Sequence, residues 1–240
     1  METTKGNNVF VERYLTPIAV LLAAVIIAFA FIFGRGAGAP ATQPVGTAAQ
    51  PTVNIADVKT DNEPFIGDKN APTTMALYYD YQCPFCKQFE EGVTPQLIEK
   101  YVSTGKTKIV FKDFQFLGND SIDAAVFGRA LWESQPDKFY PWFVAMFGAQ
   151  DDEGDKGFGD MASIDKLAAT VPGLDVAKVD ALIAKNRPAY EALAAADRAE
   201  GASFGINGTP TIIVGTQIFS GMSPAQFYTS IAGVLDSELK

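Results

Sequence analysis

The chain has 240 residues, 48% of them hydrophobic, enough for one sizeable core plus a membrane segment or for two small domains; one globular domain is the expectation. A formal net charge of -9 leaves no broad basic surface to neutralise phosphates, so nucleic acid is not an expected partner. With no histidine and only two cysteines, Ser-His-Asp triads, Cys-His proteases, histidine-ligated metals and a four-cysteine zinc site are excluded, and no metal is expected.

The first 14 residues, with Glu2, Lys5, Glu12 and Arg13, read as a short cytoplasmic segment. Residues 15–34 then form an apolar stretch, unbroken from Ile18 to Phe33, that as a helix spans roughly 30 Å, about one hydrocarbon core. It reads as a single transmembrane helix. Ala37, Gly38 and Ala39 offer the alternative of a cleaved signal peptide, but the length of the run, the acidic leader and Pro40 favour a retained anchor. Lys5 and Arg13 before the span, against Arg35 after it, lean toward an inside N-terminus. Residues 35–52, rich in Gly, Ala, Thr and Pro, read as a flexible linker with an average reach of very roughly 25 Å.

The region 53–240 reads as the folded domain. Ala71 to Tyr81 is rich in β-branched and aromatic residues and predicts a buried strand feeding a helix. From Pro84 to Tyr101, Phe85, Phe89, Val93, Leu97, Ile98 and Tyr101 recur at helical spacing, with Pro95 expected to kink the helix. Lys108 to Phe116 predicts a second strand.

An alanine-rich block at about 120–204 predicts helices around 124–132, 138–147, 164–169, 176–183 and 188–204. Its acidic stretch Asp151 to Asp160 is a candidate calcium loop by its carboxylates, but it lacks the EF-hand spacing and reads as a solvated surface loop. Thr211 to Val214, a Gly215-Thr216 turn and Gln217 to Ser220 predict a closing hairpin. Ser223, Pro224 and Gln226 then predict a capping box at the start of a last helix, with Phe227, Ile231 and Leu235 on one face. The order describes an α/β sheet with helices on both faces and an inserted helical block.

The two cysteines, Cys83 and Cys86, stand at the junction of the first strand and its helix. A helix N-terminus stabilises negative charge through unpaired N–H groups and the macrodipole, and the thiolate is the reactive form of cysteine. Cys86, one turn on, is expected behind Cys83 as the resolving thiol. The bland alternative, a permanent disulfide, closes so short a loop that it contributes only about 2 kcal/mol. Redox chemistry at a Cys83–Cys86 disulfide, with no other cofactor, is the better reading.

The string DYQCPFCKQF (80–89), with GDKNAP (67–72) upstream and GINGTPTIIVG (205–215) near the C-terminus, resembles the DsbA-like branch of the thioredoxin superfamily. The resemblance covers essentially 53–240 and implies a thioredoxin-like fold with an inserted helical block. It implies Cys83 as the exposed nucleophile, Cys86 as its partner, and Pro210 as a cis-proline beside the disulfide. Thr209 would offer its backbone to an extended substrate, with Pro84 and Phe85 completing the expected contact set.

Two departures stand out. Phe85 replaces the histidine found in the best-known oxidising members, and Leu77 stands where several relatives carry a buried carboxylate. Asp80 is the nearest acid in sequence, a candidate substitute, but a strand-end residue meeting water is the preferred reading. Tyr79, Tyr81 and Phe85 read as packing or lip residues first.

The expected function is therefore an oxidase outside the cytoplasm, acting on reduced or unfolded secreted proteins as a monomer. The resemblance implies a quinone-linked membrane protein as reoxidant. A reductase or isomerase using the same site is one alternative. A tethered binding or chaperone-like module with incidental cysteines is the other.

Overall fold

The computed structural model describes residues 53–151 and 157–240. The apolar segment, the linker and most of the acidic loop after Asp151 lie outside the described residues. Among the described residues no helix is long and apolar enough to cross a membrane.

The first aromatic and β-branched run forms strand β2 (Thr73–Tyr79), preceded by a two-residue strand β1 (Phe65–Ile66) that the sequence pattern does not reveal. There follow helices α1 (Pro84–Gly92) and α2 (Thr94–Leu97), strand β3 (Thr107–Asp113), and helices α3 (Asn119–Ser134), α4 (Pro136–Ala149), α5 (Met161–Ala168) and α6 (Val176–Ser203). Strands β4 (Thr211–Val214) and β5 (Gln217–Ser220) and helix α7 (Pro224–Glu238) complete the domain. The five strands lie in the order β1-β3-β2-β4-β5, with only β2 and β3 parallel. The stretch from β2 through α1 to β3 is thus a parallel crossover, and the helical block α3 to α6 is inserted between β3 and β4.

Alternation along β2 explains why its sequence is apolar on both sides. Met75, Leu77 and Tyr79 enter the larger core beneath the helices, while Ala76 and Tyr78 enter a smaller one with Val53, Val58, Phe114, Ile206 and Ile213. A sheet covered on both faces has no solvent side to encode.

Three boundaries differ from the sequence pattern, each for a physical reason. The stretch up to Tyr101 is not one kinked helix: α1 ends at Gly92, α2 carries Pro95 in its first turn, and a π-helical turn (Ile98–Val102) follows. Proline there loses no helical hydrogen bond. Strand β3 stops at Asp113, short of Phe116, because the N–H groups of Phe116 and Leu117 turn to Asp80. Helix α6 runs unbroken through Pro188, where the sequence predicts a gap. Contacts on both sides of the proline hold it: Arg187 pairs with Asp123, and Tyr190 donates to Glu133 at 2.8 Å. The capping box at Ser223 and Gln226 is present.

A buried ion network ties β3 to α3 and α6. The Lys112 ammonium lies 2.5 Å from Asp197, 3.1 Å from Glu200 and 3.3 Å from Glu63. The Arg129 guanidinium lies 2.5 Å from Glu63 and 2.6 Å from Asp113 and also pairs with Asp197. Two cations shared among four carboxylates give every carboxylate a cationic partner while leaving an excess of negative charge. Burial, together with that excess, raises the Asp197 pKa to about 7, and removing a cation from such a set costs several kcal/mol.

Candidate functional site

Strand β2 ends at Tyr79, and the chain turns once before entering α1. Asp80 makes that turn. Its carboxylate accepts from Gln82 N at 2.9 Å, Phe116 N at 2.8 Å, Leu117 N at 3.1 Å and Ser121 Oγ at 2.5 Å. Asp80 is 0% exposed, which corrects its reading as a strand-end residue meeting water. Burial raises its carboxyl pKa, against hydrogen bonds from Ser121, Phe116, Gln82 and Leu117 that lower it. Four donors converging on one carboxylate fix the loop that carries Gln82 and Cys83.

Cys83 is the N-cap of α1 and Pro84 its first residue, so the cysteine sits where helical N–H groups lack partners. Its carbonyl accepts from Cys86 N at 3.0 Å and Lys87 N at 3.2 Å. Both cysteines are free thiols. The Cys83 thiol is lowered from 9.0 to about 6, chiefly by a hydrogen bond from the Cys86 thiol, then by Thr209 and the N–H groups of Cys86 and Phe85; burial opposes. Burial drives the Cys86 thiol the other way, well above the ordinary range, and its hydrogen bond to Cys83 adds to that rise. One sulfur is thus poised as thiolate and the other held as thiol.

The Thr209–Pro210 peptide bond is cis. The Cys83 thiol donates to the Thr209 carbonyl at 3.3 Å. Thr209 Oγ1 is buried with no hydrogen-bond partner in the dithiol form and acts to lower the Cys83 pKa, the behaviour of a hydroxyl turned toward the sulfur. Cys83 is only 3% exposed, so the exposed nucleophile implied by the resemblance is corrected: the sulfur sits under the Thr209–Pro210 loop.

Phe85, by contrast, is 63% exposed and stands on the rim. Pro84 beside it is exposed as well. A largely apolar groove runs from Phe85 past Gln88, Phe89, Thr209 and Pro210 to Met222, Pro224 and Phe227 of the last helix and its approach. The structure therefore brings Cys83, Cys86, Phe85, Thr209 and Pro210 to one place, with Asp80 beneath the loop. Tyr79 and Tyr81 lie inside: their hydroxyls are 3.0 Å apart, Tyr79 lies 3.2 Å from Asp113 Oδ1, and Tyr81 packs on Trp142, Phe143 and Phe147.

The sequence pattern misses Glu90. It lies four residues after Cys86 on α1, and that spacing puts both on one helix face. An acid is ordinarily read as the solvated side, yet Cys86, Phe89 and Glu90 form the buried face and Glu91 the exposed one. Of the acidic stretch 151–160, the described ends serve local structure. Asp160 caps α5 and Asp151 accepts from Phe158 N at 2.8 Å.

The thioredoxin family matches residues 59–232 of the chain. A probable disulfide bond formation protein D from Bacillus anthracis is 23% identical over 175 residues, spanning 73% of this chain and 77% of the relative. The protein of the same name from Bacillus cereus is 24% identical over 203 residues, spanning 82% and 90%. Among solved structures, oxidised BdbD from Bacillus subtilis superposes with a TM-score of 0.67 at 24% identity, covering 75% of this chain and 95% of that one. That likeness speaks to the fold.

Proposed function

The chain belongs to the thioredoxin family, in its DsbA-like branch, and is a thiol:disulfide oxidoreductase; from that premise we propose that it introduces disulfides into secreted or membrane proteins through Cys83 and Cys86. The observation that carries this reading is the pairing of a Cys83 lowered to about 6 with a Cys86 held well above its ordinary range, Cys83 being hydrogen-bonded to Thr209 in the wall of an apolar groove.

A substrate thiolate attacks Cys83 Sγ of the oxidised pair, the Cys83–Cys86 bond breaks, and the electron pair leaves on Cys86, which takes up a proton. A second substrate thiolate then attacks the substrate sulfur of the mixed disulfide. Cys83 leaves as its stabilised thiolate. The substrate has lost two electrons and the enzyme holds them as a dithiol. No further cofactor enters. Phe85, Thr209 and Pro210 line the path an extended substrate would take, with exposed Pro84 beside Phe85 and apolar side chains lining the groove toward Met222.

The wider setting follows from the sequence. The apolar segment is a single-pass anchor with a cytoplasmic N-terminus, the linker is a tether, and the domain acts as a monomer at the extracytoplasmic membrane face, in periplasm or at the cell surface. There thiols are being oxidised. Its substrates are reduced or unfolded secreted proteins, and a quinone-linked membrane protein restores the disulfide. A reduction potential near that of thioredoxin, about -270 mV, would instead favour the reductase direction. The direct test is stoichiometric oxidation of a reduced, unfolded protein by the purified oxidised protein, lost in Cys83→Ser.

A further inference from the structure

The peptide unit that joins Tyr81 to Gln82, just ahead of Cys83, is held at both ends by side chains. Its N–H donates to Asp80 Oδ1 at 2.9 Å, and its carbonyl, that of Tyr81, accepts from Gln150 Nε2 at 2.8 Å. Asp80 belongs to the same turn. Gln150 comes from the inserted helical block, as the C-cap of α4, where its own N–H donates to the Phe147 carbonyl at 3.3 Å. The Gln150 carbonyl in turn accepts from Nζ of Lys87, the residue after Cys86, at 3.2 Å. A single residue thus touches the chain on both sides of the Cys83-Pro84-Phe85-Cys86 run. Helix α4 is also bound to α1 through Tyr140, whose hydroxyl donates to Glu90 at 2.7 Å, so Gln150 stands on an element already fixed to the helix that follows Cys83.

We infer that Gln150 is a positioning residue for the exchange reaction: by bridging the Tyr81 carbonyl and Lys87 it holds Cys83 Sγ at the N-terminus of α1 in the reduced enzyme. The assignment rests on the exchange reading given above. In the oxidised enzyme the Cys83–Cys86 bond ties the loop to the helix covalently. Reduction breaks that tie, and the sulfur then keeps the N–H groups of Cys86 and Phe85 only while hydrogen bonds hold the loop. Asp80 and Gln150 supply the two that clamp the Tyr81–Gln82 peptide. Gln150 therefore stabilises the reduced form more than the oxidised one, the direction that makes a disulfide a stronger oxidant. Because Gln150 is uncharged, it does this through geometry rather than through a field at the sulfur.

The test measures the thiolate titration of Cys83 and the redox equilibrium with glutathione on the full chain, in the wild-type protein, Gln150→Met and Gln150→Ala. Methionine is close to glutamine in length and lacks both donor and charge, so a shift reports the lost bond; alanine repeats the test without the longer side chain. Loss of one hydrogen bond that acts on the reduced form is expected to raise the Cys83 midpoint by about 0.5 to 1 pH unit. The glutathione equilibrium moves toward the protein disulfide by about threefold or more near pH 8.

Denaturant unfolding separates positioning from plain stabilisation. Each variant is expected to lose more stability in its reduced form than in its oxidised form. A merely structural glutamine lowers both forms equally and leaves the midpoint in place, and that result overturns the assignment. An unmoved midpoint or an unchanged glutathione equilibrium in both variants overturns it as well, with the exchange reading intact. Failure of the wild-type protein to exchange with glutathione overturns the exchange reading together with it.

Discussion

Replacing Cys86 by alanine tests how the reactive sulfur is tuned. A fall of the Cys83 thiol from 9.0 to about 6 corresponds to about 4 kcal/mol in favour of the thiolate, at ~1.4 kcal/mol per pH unit. Because the folded pKa is depressed, this contribution to the reduced form is complete above 9, and it fades as pH falls through about 6. Near pH 7 it amounts to about 1.4 kcal/mol, or about 30 mV more oxidising for the disulfide. The largest single cause is the hydrogen bond from the Cys86 thiol. A hydrogen bond to a charged group is worth about 1.5–3 kcal/mol, so Cys86→Ala is expected to raise the Cys83 pKa by about one to two pH units. Cys86→Ser keeps a donor and is expected to recover part of the drop. Ultraviolet thiolate absorbance, followed across pH in each single-cysteine variant, reads the midpoint directly. A midpoint that stays at about 6 in Cys86→Ala would refute the account of how Cys83 is activated.

Other sites respond by other mechanisms. Asp80→Ala strands the donors of Gln82, Phe116, Leu117 and Ser121 and is expected to lower stability by about 3 kcal/mol or more, read by denaturant unfolding. Arg129→Met leaves Glu63, Asp113 and Asp197 without that cation, and a loss of about 3–5 kcal/mol in the same assay is expected. Phe85→Ser acts on an exposed side chain, so stability shifts by less than about 0.5 kcal/mol while exchange with a peptide thiol slows severalfold; equal exchange rates would remove Phe85 from the substrate path.

What the sequence revealed was local. Strand-to-helix placement of Cys83 and Cys86 follows from adjacent residues, and the Ser223 capping box needs only four positions. Features set by distant contacts stayed hidden. Asp80 is polar and next to a strand end, a solvent signature, and only the arrival of Phe116, Leu117 and Ser121 from beyond β3 makes it an internal anchor. Pro188 breaks a helix by local rule, yet packing of α6 on α3 carries it through. Glu90 needed α4 to supply Tyr140 before a carboxylate on a buried face made sense. In each case tertiary contact outweighed a local preference of a few kcal/mol or less.

The central claim is tested most directly by mixing the purified oxidised protein with a reduced, unfolded protein and counting the thiols that remain. One substrate disulfide gained for each Cys83–Cys86 pair reduced, and none with Cys83→Ser, is the predicted result. Undiminished oxidation by Cys83→Ser, or none by the wild-type protein, would contradict it.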